Sequence, residues 1–435
     1  MAERTPPPPT LPARHRARPR APQGDRWPAN TQLADLVRYV ARRPDSVGTA
    51  LVTILAAAVF LFTAEREPQD FDYFVRLADA FLNGRLYVLE APSWLNELVP
   101  GGGGWYVVYP PVPAILLMPF VAVFGTDFPQ QVASCLFGAI AVGLVWLLLG
   151  RFALDLRRRL ILTLVFAFGT VFWYVAETGS AWYLGHVCAV LFSVAAVIAA
   201  MDRRFPVLVG LLLGLAAISR LPVALACVGV LMLLVGVGWP LRLPRDRLLA
   251  IRQTVGFGVG MAIPVGLYFG YNLARWGTLM DQGYTRIPGV LEDPIYEKFG
   301  IFAIEYIPRH LHAIFLRSWN FVDEPPFFQP SWWGLGLFLT TPVLIWLVRA
   351  RLQDPRVLAS AVATALVAIP IVTHGNVGIA QFGYRFSLDA QVFLFVALAT
   401  VFERGMSRLA WLAAIASIAI CAYAIWAISI EFIAF

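Results

Sequence analysis

Two carboxylates stand two residues apart, shortly after an apolar run that begins near Val47. Asp70 and Asp72 stand at the start of the stretch 72–82, whose apolar residues recur at helical spacing and predict a short amphipathic helix. An aspartate held near apolar surface has the raised basicity that a general base needs to take a proton from a hydroxyl group. The second carboxylate could support it or bind a divalent cation. The alternative for either residue is a helix N-cap beside the positive end of the helix dipole.

Two arginines beside apolar runs could hold an anion. Arg220 lies in a turn between two such runs with no acid next to it in sequence, and Arg385 stands at the start of another run. A guanidinium in these surroundings costs about 3 kcal/mol unless it has a partner, and a lipid phosphate is a suitable one. His374, just upstream of Arg385, could share this role. The alternatives are a snorkelling Arg220 and an ion pair between Arg385 and Asp389, one helical turn further on.

Aromatic and polar residues near these groups form a third set of candidates. Tyrosine and tryptophan rings suit stacking against a sugar or contact with a lipid, yet every membrane protein also places them in its interfacial belt. The candidates of this kind are Tyr73, Tyr109, Trp182 and Tyr183. Glu177 and His186 bound the short segment that contains the last two.

The composition decides which kind of scaffold must position these side chains. Of 435 residues, 59% are hydrophobic and only 14% are charged, the net charge is +7, and the mean hydropathy is +0.69. Soluble domains carry about 25% charged residues, so soluble enzymes and disordered proteins are excluded. Basic residues that interrupt long apolar runs orient membrane helices, which makes a nucleic-acid partner unnecessary. The chain is therefore predicted to be an all-α polytopic membrane protein.

About eleven apolar runs are long enough to cross a bilayer of roughly 30 Å. They begin near Val47, Gln130, Leu160, Val187, Pro206, Pro222, Thr254, Trp332, Val357, Phe386 and Leu409. Strict alternation puts every arginine cluster on one side, which the positive-inside rule identifies as the cytoplasm, together with the amino terminus. Residues 1–43 are predicted to be a disordered basic arm, and residues 44–435 to be the transmembrane domain. The four cysteines lie in apolar runs without metal-ligand spacing and are interpreted as small hydrophobic residues.

Two long segments, 65–129 and 276–331, are predicted to lie on the outer side, and both are rich in Trp, Tyr, Pro and acids. Within the first, residues 107–124 are nearly long enough to span but contain four prolines. Counting them as a crossing would move the arginines at 157–159 outside. We therefore expect a juxtamembrane or re-entrant helix there and a functional site on the outer face.

The order of features in residues 65–125 resembles a known superfamily. An acid follows the first membrane helix, a short helix ends in Asn83-Gly84-Arg85-Leu86-Tyr87, and Tyr109-Pro110-Pro111 opens an apolar juxtamembrane segment. This arrangement is similar to that of the GT-C membrane glycosyltransferases. It looks most like the bacterial polyprenol-phosphate-mannose-dependent mannosyltransferases, with a looser likeness to protein O-mannosyltransferases and lipid A aminoarabinose transferases. The resemblance implies a GT-C-like bundle and a catalytic base at Asp70, with Asp72 as the close rival.

Weaker matches lie elsewhere in the chain. The segment Gly383-Tyr384-Arg385 is similar to one common in the superfamily, and Arg220 stands where a basic residue precedes a proline. The resemblance implies donor-phosphate contact for both arginines. It also implies that Glu177 helps to hold the acceptor or a metal, and we assign the same support to His186. Departures are the absence of an Asp-Glu pair of the protein mannosyltransferase kind and of a WWD signature, since Trp332-Trp333 precedes Gly334.

The resemblance therefore implies a multi-pass glycosyltransferase of the bacterial inner membrane. It would move mannose, or another hexose or pentose, from a polyprenyl phosphate carrier to an envelope lipid or polysaccharide on the outer face. The metal requirement is open, with Mg²⁺ or Mn²⁺ as the candidate cation. The alternative from another class is a lipid or glycolipid transporter or flippase, in which broken helices and arginines near the membrane edge also occur.

Overall fold

Apolar helices make up most of the structure, a computed structural model that describes residues 44–64 and 71–433. The predicted basic arm, residues 1–43, and the candidate base Asp70 lie outside the described residues. The compact unit considered below is formed by the residues from Asp45 onward.

The first half of the chain contains α1 (Pro44–Thr63), α2 (Tyr73–Leu82), β1 (Leu98–Gly101), β2 (Gly104–Val107), α3 (Val112–Phe124), α4 (Gln130–Leu149), α5 (Leu156–Phe168), α6 (Phe172–Thr178), α7 (Ala181–Asp202) and α8 (Pro206–Ala217). The second half contains α9 (Cys227–Val235), α10 (Arg247–Trp276), α11 (Ile307–Phe315), β3 (Asn320–Phe321), β4 (Phe328–Gln329), α12 (Leu337–Thr340), α13 (Pro355–Val372), α14 (Leu388–Phe402) and α15 (Arg408–Ser429). Short 3₁₀ segments occur at Gly125–Asp127, Leu221–Ala226, Tyr284–Arg286, Val290–Glu292, Ile304–Tyr306, Pro342–Arg349 and Arg385–Ser387. The strands form two small antiparallel hairpins, β1 with β2 and β3 with β4.

Seven of the described helices are long and apolar enough to cross a membrane, namely α1, α4, α7, α10, α13, α14 with its preceding turn, and α15. The pair α5 and α6, bent by 50° at the break between them, adds an eighth span. Three of the predicted runs contain only shorter elements: α8, α9 with its 3₁₀ turn, and α12 with the turn Pro342–Arg349. The all-α polytopic fold class is confirmed, whereas the count of eleven crossings stays a prediction.

The first loop folds as two short helices and a hairpin. Helix α2 is amphipathic and buries Tyr73, Phe74 and Leu77 on the face that packs against α3. Helix α3 begins with a proline in its first turn and ends at Gly125, whose φ of +74° is accessible to glycine without strain. Its 13 residues extend only about 20 Å, too little to cross the hydrocarbon core. This length agrees with a juxtamembrane helix in the predicted position.

Helix α8 is short but packs closely on α10 through glycines. A Cβ on Gly210 would lie 2.0 Å from the carbonyl oxygen of Phe257. One on Gly260 would lie 1.9 Å from the carbonyl oxygen of Val207. The two backbones are therefore in direct contact, as small residues spaced four apart allow in membrane helices. Because dispersion contacts replace the hydrophobic effect between membrane helices, this close approach is what holds the short α8 in the bundle.

Replacing Gly260 with leucine is expected to destabilise the folded protein by about 3 kcal/mol, the upper part of the usual range for overpacking. The clash is with the Val207 backbone, which cannot rotate away as a side chain could. Thermal unfolding of the purified protein in detergent measures the effect. Gly258→Leu on the same helix is the matched control, since a Cβ at Gly258 meets no atom within 4 Å. Equal melting temperatures for the two variants would contradict the close contact.

Ion pairs cluster at one end of the bundle, where the arginine-rich connections lie. Arg356 contacts both Asp354 and Glu403, with Nη2 to carboxylate oxygen distances of 2.7 Å each. Arg158 donates to the backbone carbonyl oxygen of Phe402 at 2.6 Å. These contacts join the starts of α5 and α13 to the end of α14. We call this the arginine end, and the opposite end, which carries residues 71–129 and 277–336, the loop end.

Candidate active site

Four segments that are distant in sequence meet at the loop end. They are the first loop, the start of α7, the second loop after α10, and residues 373–389 between α13 and α14. Their contacts bring five of the eleven predicted site residues into two groups of side chains, one around Glu97 and one around Asp389. Neither of these two acids was among the predicted site residues.

Glu97 is the centre of the first group. Its Oε2 accepts hydrogen bonds from the Tyr109 hydroxyl and from Trp182 Nε1, the latter at 3.0 Å. Its Oε1 accepts one from the Tyr284 hydroxyl at 3.2 Å. The backbone N–H of Glu97 donates to the Tyr73 hydroxyl at 2.8 Å. The carboxylate is thus held by three side chains and the backbone N–H by a fourth, while the residue stays partly exposed to solvent.

The surroundings of Glu97 shift its acidity. Burial raises the pKa of this carboxyl group, while the hydrogen bonds from Trp182 and Tyr284 and the positive charge of Arg385 lower it in part. Burial also raises the pKa of Tyr73 and Tyr284, so both phenols remain O–H donors at neutral pH. Arg385, a predicted phosphate-binding residue, lies over the ring of Tyr183, which directly follows the Glu97 donor Trp182 in sequence.

Three of the four predicted aromatic contacts, Tyr73, Tyr109 and Trp182, therefore converge on Glu97. Tyr183 does not: its hydroxyl donates to the carbonyl oxygen of Ala380. The ring of Tyr183 lies 5.3 Å from the Arg385 guanidinium carbon instead. The sequence offered no signal for Glu97 itself, because it lies between Asn96 and Leu98 outside any motif.

Arg385 is a buried cation without a carboxylate partner in the part of the chain that the structure describes. Only 6% of its surface is exposed. Nη1 donates to the carbonyl oxygen of Ile379 at 2.7 Å, and Nε is buried with no hydrogen-bond partner. The guanidinium also lies over the rings of Tyr183 and Phe386. Within residues 44–64 and 71–433, the guanidinium therefore contacts a backbone carbonyl group and aromatic faces and forms no ion pair.

Asp389 binds Arg220 and His186 rather than Arg385. Its Oδ2 lies 3.0 Å from Arg220 Nη2, and its Oδ1 lies 2.8 Å from His186 Nδ1. The side chains of Asp389 and His186 are fully buried, whereas 25% of the Arg220 side chain is exposed. The alternative of an ion pair between Arg385 and Asp389 is not seen, because Arg385 belongs to the 3₁₀ turn before α14 and its side chain does not follow the helical i, i+4 geometry.

Of the candidate aspartate pair, Asp72 lies within the described residues and has side-chain partners. Asp72 is the N-cap residue of α2, but its side chain makes no cap hydrogen bond. Its carboxylate instead accepts from Arg76 Nε, with both oxygens at 3.0 Å, and from Trp94 Nε1 at 3.3 Å. Asp70 lies outside the described residues, but the next residue, Phe71, places its ring 4.5 Å from that of Trp182.

Glu177 is buried at the end of α6, beside the end of α1. It accepts a hydrogen bond from the Thr63 hydroxyl, which also accepts one from Trp173 Nε1 at 3.0 Å. The acid therefore lies where the chain leaves α1 toward Asp70. Within the described residues, no group of three or more His, Cys, Asp or Glu side chains is arranged to hold a metal ion.

His374 lies among aromatic rings at the loop end. Its ring centroid is 6.1 Å from that of Tyr284 and 5.3 Å from that of Phe302. Burial, together with the charges of His310, Arg220 and Arg385, lowers the pKa of His374 to about 4, against a hydrogen bond with Asn376 that raises it. The imidazole is therefore neutral at pH 7. It can offer a hydrogen bond to a phosphate but no positive charge.

Because the folded protein holds His374 neutral, acidification should destabilise it. The contribution is fully present above the ordinary histidine pKa of 6.5 and is lost as the pH falls toward 4. Between pH 7.5 and pH 5, His374 should lower the free energy of unfolding by on the order of 1 kcal/mol, after allowance for the partial exposure of the ring. Replacing it with glutamine should remove this loss. Thermal unfolding at pH 7.5 and pH 5 measures this. A variant that loses as much stability on acidification as the original protein would contradict the assignment.

Comparison with known proteins supports the fold. No protein-family model and no curated protein sequence matches the chain. The structure is similar to ArnT from Cupriavidus metallidurans bound to undecaprenyl phosphate, with a TM-score of 0.50 and 14% identity over 88% of this chain and 64% of that one. For the apo state of ArnT the TM-score is 0.49, at the same identity and coverage. The chain thus spans less than two thirds of the length of ArnT, and its helical fold is similar to that of ArnT.

Proposed function

We propose that this protein is an integral glycosyltransferase of the bacterial inner membrane that uses a polyprenyl phosphate sugar as donor. Mannose, or another hexose or pentose, would be transferred to an envelope lipid or polysaccharide at the loop end, on the outer face. The observation that carries the proposal is Arg385, a buried guanidinium with no carboxylate partner among the described residues. ArnT, which shares the fold, has been solved with undecaprenyl phosphate bound.

An anionic ligand would resolve the charge imbalance at Arg385. A buried cation without a counter-ion costs several kcal/mol, and a phosphate returns that energy through charge-assisted hydrogen bonds. Arg220 can also donate to the phosphate. Asp389 accepts hydrogen bonds from its Nε and Nη2 and does not contact its Nη1. Two guanidinium groups at the edge of the bilayer suit a lipid phosphate that becomes more negative as the sugar leaves.

Asp70 is the base that we favour. Asp72 is already engaged by Arg76 and Trp94, whereas Asp70 directly precedes Phe71, which packs on the Glu97 partner Trp182. In the proposed reaction an acceptor hydroxyl oxygen attacks the anomeric carbon while the bond from that carbon to the phosphate oxygen breaks. The hydroxyl proton passes to Asp70, and polyprenyl phosphate leaves with the bonding electrons. A single displacement of this kind inverts the anomeric configuration.

The direct test is incubation of the purified protein with a panel of radiolabelled polyprenyl phosphate sugars and host membrane extract, with and without EDTA. We expect label to move from at least one donor to a lipid or polysaccharide acceptor, or slow hydrolysis of that donor when no acceptor is added. Loss of activity with EDTA, restored by Mg²⁺ or Mn²⁺, would add a metal requirement. If no donor reacts, and vesicles containing the protein move labelled lipid between leaflets, the transporter alternative is favoured.

A further inference from the structure

The position of the Glu97 carboxylate is determined by residues from widely separated parts of the chain. Tyr109, Trp182 and Tyr284 donate to it from the segment between β2 and α3, the start of α7 and the second loop, respectively. We call these four residues the Glu97 cluster. No two of the donors lie on the same element, so the cluster forms only when the loop end is assembled. Such convergence on a partly exposed acid is more than a local cap or turn requires.

The cluster still has room for a ligand hydroxyl. A carboxylate offers about four acceptor positions, and the described residues use three of them, two on Oε2 and one on Oε1. The remaining position is on Oε1, where the bond from Tyr284 is also the longest at 3.2 Å. Tyrosine and tryptophan side chains flank the carboxylate and can cover the apolar face of a sugar ring.

Electrostatics selects a neutral ligand at this point. An anion would be repelled by the Glu97 carboxylate. Arg385 makes a cation less favourable there, because it lies over the ring of Tyr183, the residue next to the Glu97 donor Trp182. A hydroxyl group avoids both penalties and forms a charge-assisted hydrogen bond with the carboxylate. A polyol joined to a phosphate would therefore match the two neighbouring features, with the phosphate at Arg385 and the hydroxyl groups at Glu97.

We infer that the Glu97 cluster is the binding site for the hydroxyl groups of the donor sugar. The inference rests on the proposed function and makes it more specific. In a polyprenyl phosphate sugar the anomeric carbon and the phosphorus are joined through one oxygen, so the two subsites must be adjacent. The lipid phosphate would contribute affinity that is common to all donors, and Glu97 would distinguish the loaded carrier from the empty one.

The test compares binding of undecaprenyl phosphate alone with binding of undecaprenyl phosphate mannose, glucose and arabinose, using the full-length protein in detergent. Loss of one hydrogen bond to a charged group corresponds to about a 10- to 100-fold weaker affinity. Glu97→Gln is therefore expected to weaken binding of the preferred sugar lipid by that factor and to leave binding of undecaprenyl phosphate unchanged. The matched control is Glu90→Gln, which makes the same change at an exposed acid of the same loop.

Stability measurements separate this role from a structural one. Because the Glu97 carboxyl is costly to ionise in its place, glutamine should not lower the melting temperature of the ligand-free protein. If Glu97→Gln fails to fold, Tyr284→Phe keeps the carboxylate and removes one donor from Oε1. In this variant, affinity for the sugar lipid is expected to change several-fold, and affinity for undecaprenyl phosphate is expected to stay the same.

Three results would overturn the inference: equal weakening for loaded and empty carrier, no change for either, or an original protein that binds all three sugar lipids no better than undecaprenyl phosphate. Failure to bind any of these lipids would instead refute the proposed function. The two kinds of failure are therefore distinguishable in one set of measurements.

Discussion

Replacement of Asp70 with asparagine is expected to reduce sugar transfer by about 10²- to 10⁴-fold, the contribution usual for a general base. The amide has nearly the same shape but cannot take the proton of the acceptor hydroxyl at neutral pH. The phosphate would still meet Arg385, and the sugar would still meet the Glu97 cluster. Donor affinity and melting temperature should therefore match those of the original protein. Single-turnover transfer with the donor identified from the panel measures the chemical step.

Asp72→Asn is the control for this prediction. It makes the same change two residues away, at a carboxylate that Arg76 and Trp94 already engage. We expect a loss of only a few-fold in transfer, with a modest fall in stability because the pair with Arg76 is partly exposed. Full activity of the Asp70 variant would remove Asp70 from the mechanism. A loss confined to the Asp72 variant would transfer the role of base to Asp72.

The sequence was informative about classes of residue and much less so about partners. Aromatic residues at the loop end could be selected from their type and position, and three of them do meet in one place. Glu97 could not, because its surroundings include Tyr284, which is 187 residues away in sequence. A carboxylate whose environment is made by other segments has no local pattern. Only the assembled loop end distinguishes it from an exposed acid such as Glu90.

The ion pair of Asp389 illustrates the same limit. Spacing of four residues predicts a pair with Arg385 only if both residues lie on one regular helix. The helix begins at Leu388, and the 3₁₀ turn before it directs Arg385 to the carbonyl oxygen of Ile379. Asp389 is then left to Arg220, which is 169 residues earlier in the chain. Because the chain is not α-helical at Arg385, both Arg385 and Asp389 have partners other than those that their spacing predicted.

Helix lengths were predicted less well than the positions of apolar runs. Hydropathy records that a segment is apolar, but not whether its backbone continues as one helix. Leu221–Ala226 and Pro342–Arg349 are both 3₁₀ turns with a proline in the first two positions. Helix α8 ends after 12 residues, shortly before the 3₁₀ segment that begins at Leu221. Such segments are as apolar as a membrane-spanning helix, but their regular helices are too short to cross the bilayer.

Replacement of Arg385 with glutamine should weaken lipid binding without lowering the stability of the folded protein, whereas most substitutions of buried residues lower stability. We expect affinity for undecaprenyl phosphate to fall by about 10- to 100-fold, because a hydrogen bond between charged groups is lost. Every sugar lipid should be affected equally, unlike in the Glu97 variant. Transfer should fall at least as much, since the same charge would stabilise the departing phosphate.

The ligand-free Arg385→Gln protein should be as stable as the original or more stable. The substitution removes a buried cation that has no carboxylate partner among the described residues, and with it the cost of keeping that charge away from water. Arg286→Gln is the matched control, an exposed arginine of the same end that donates to Gln282. It should change neither property. A lower melting temperature with unchanged lipid affinity would show that Arg385 supports the fold through Ile379 and is not the phosphate site.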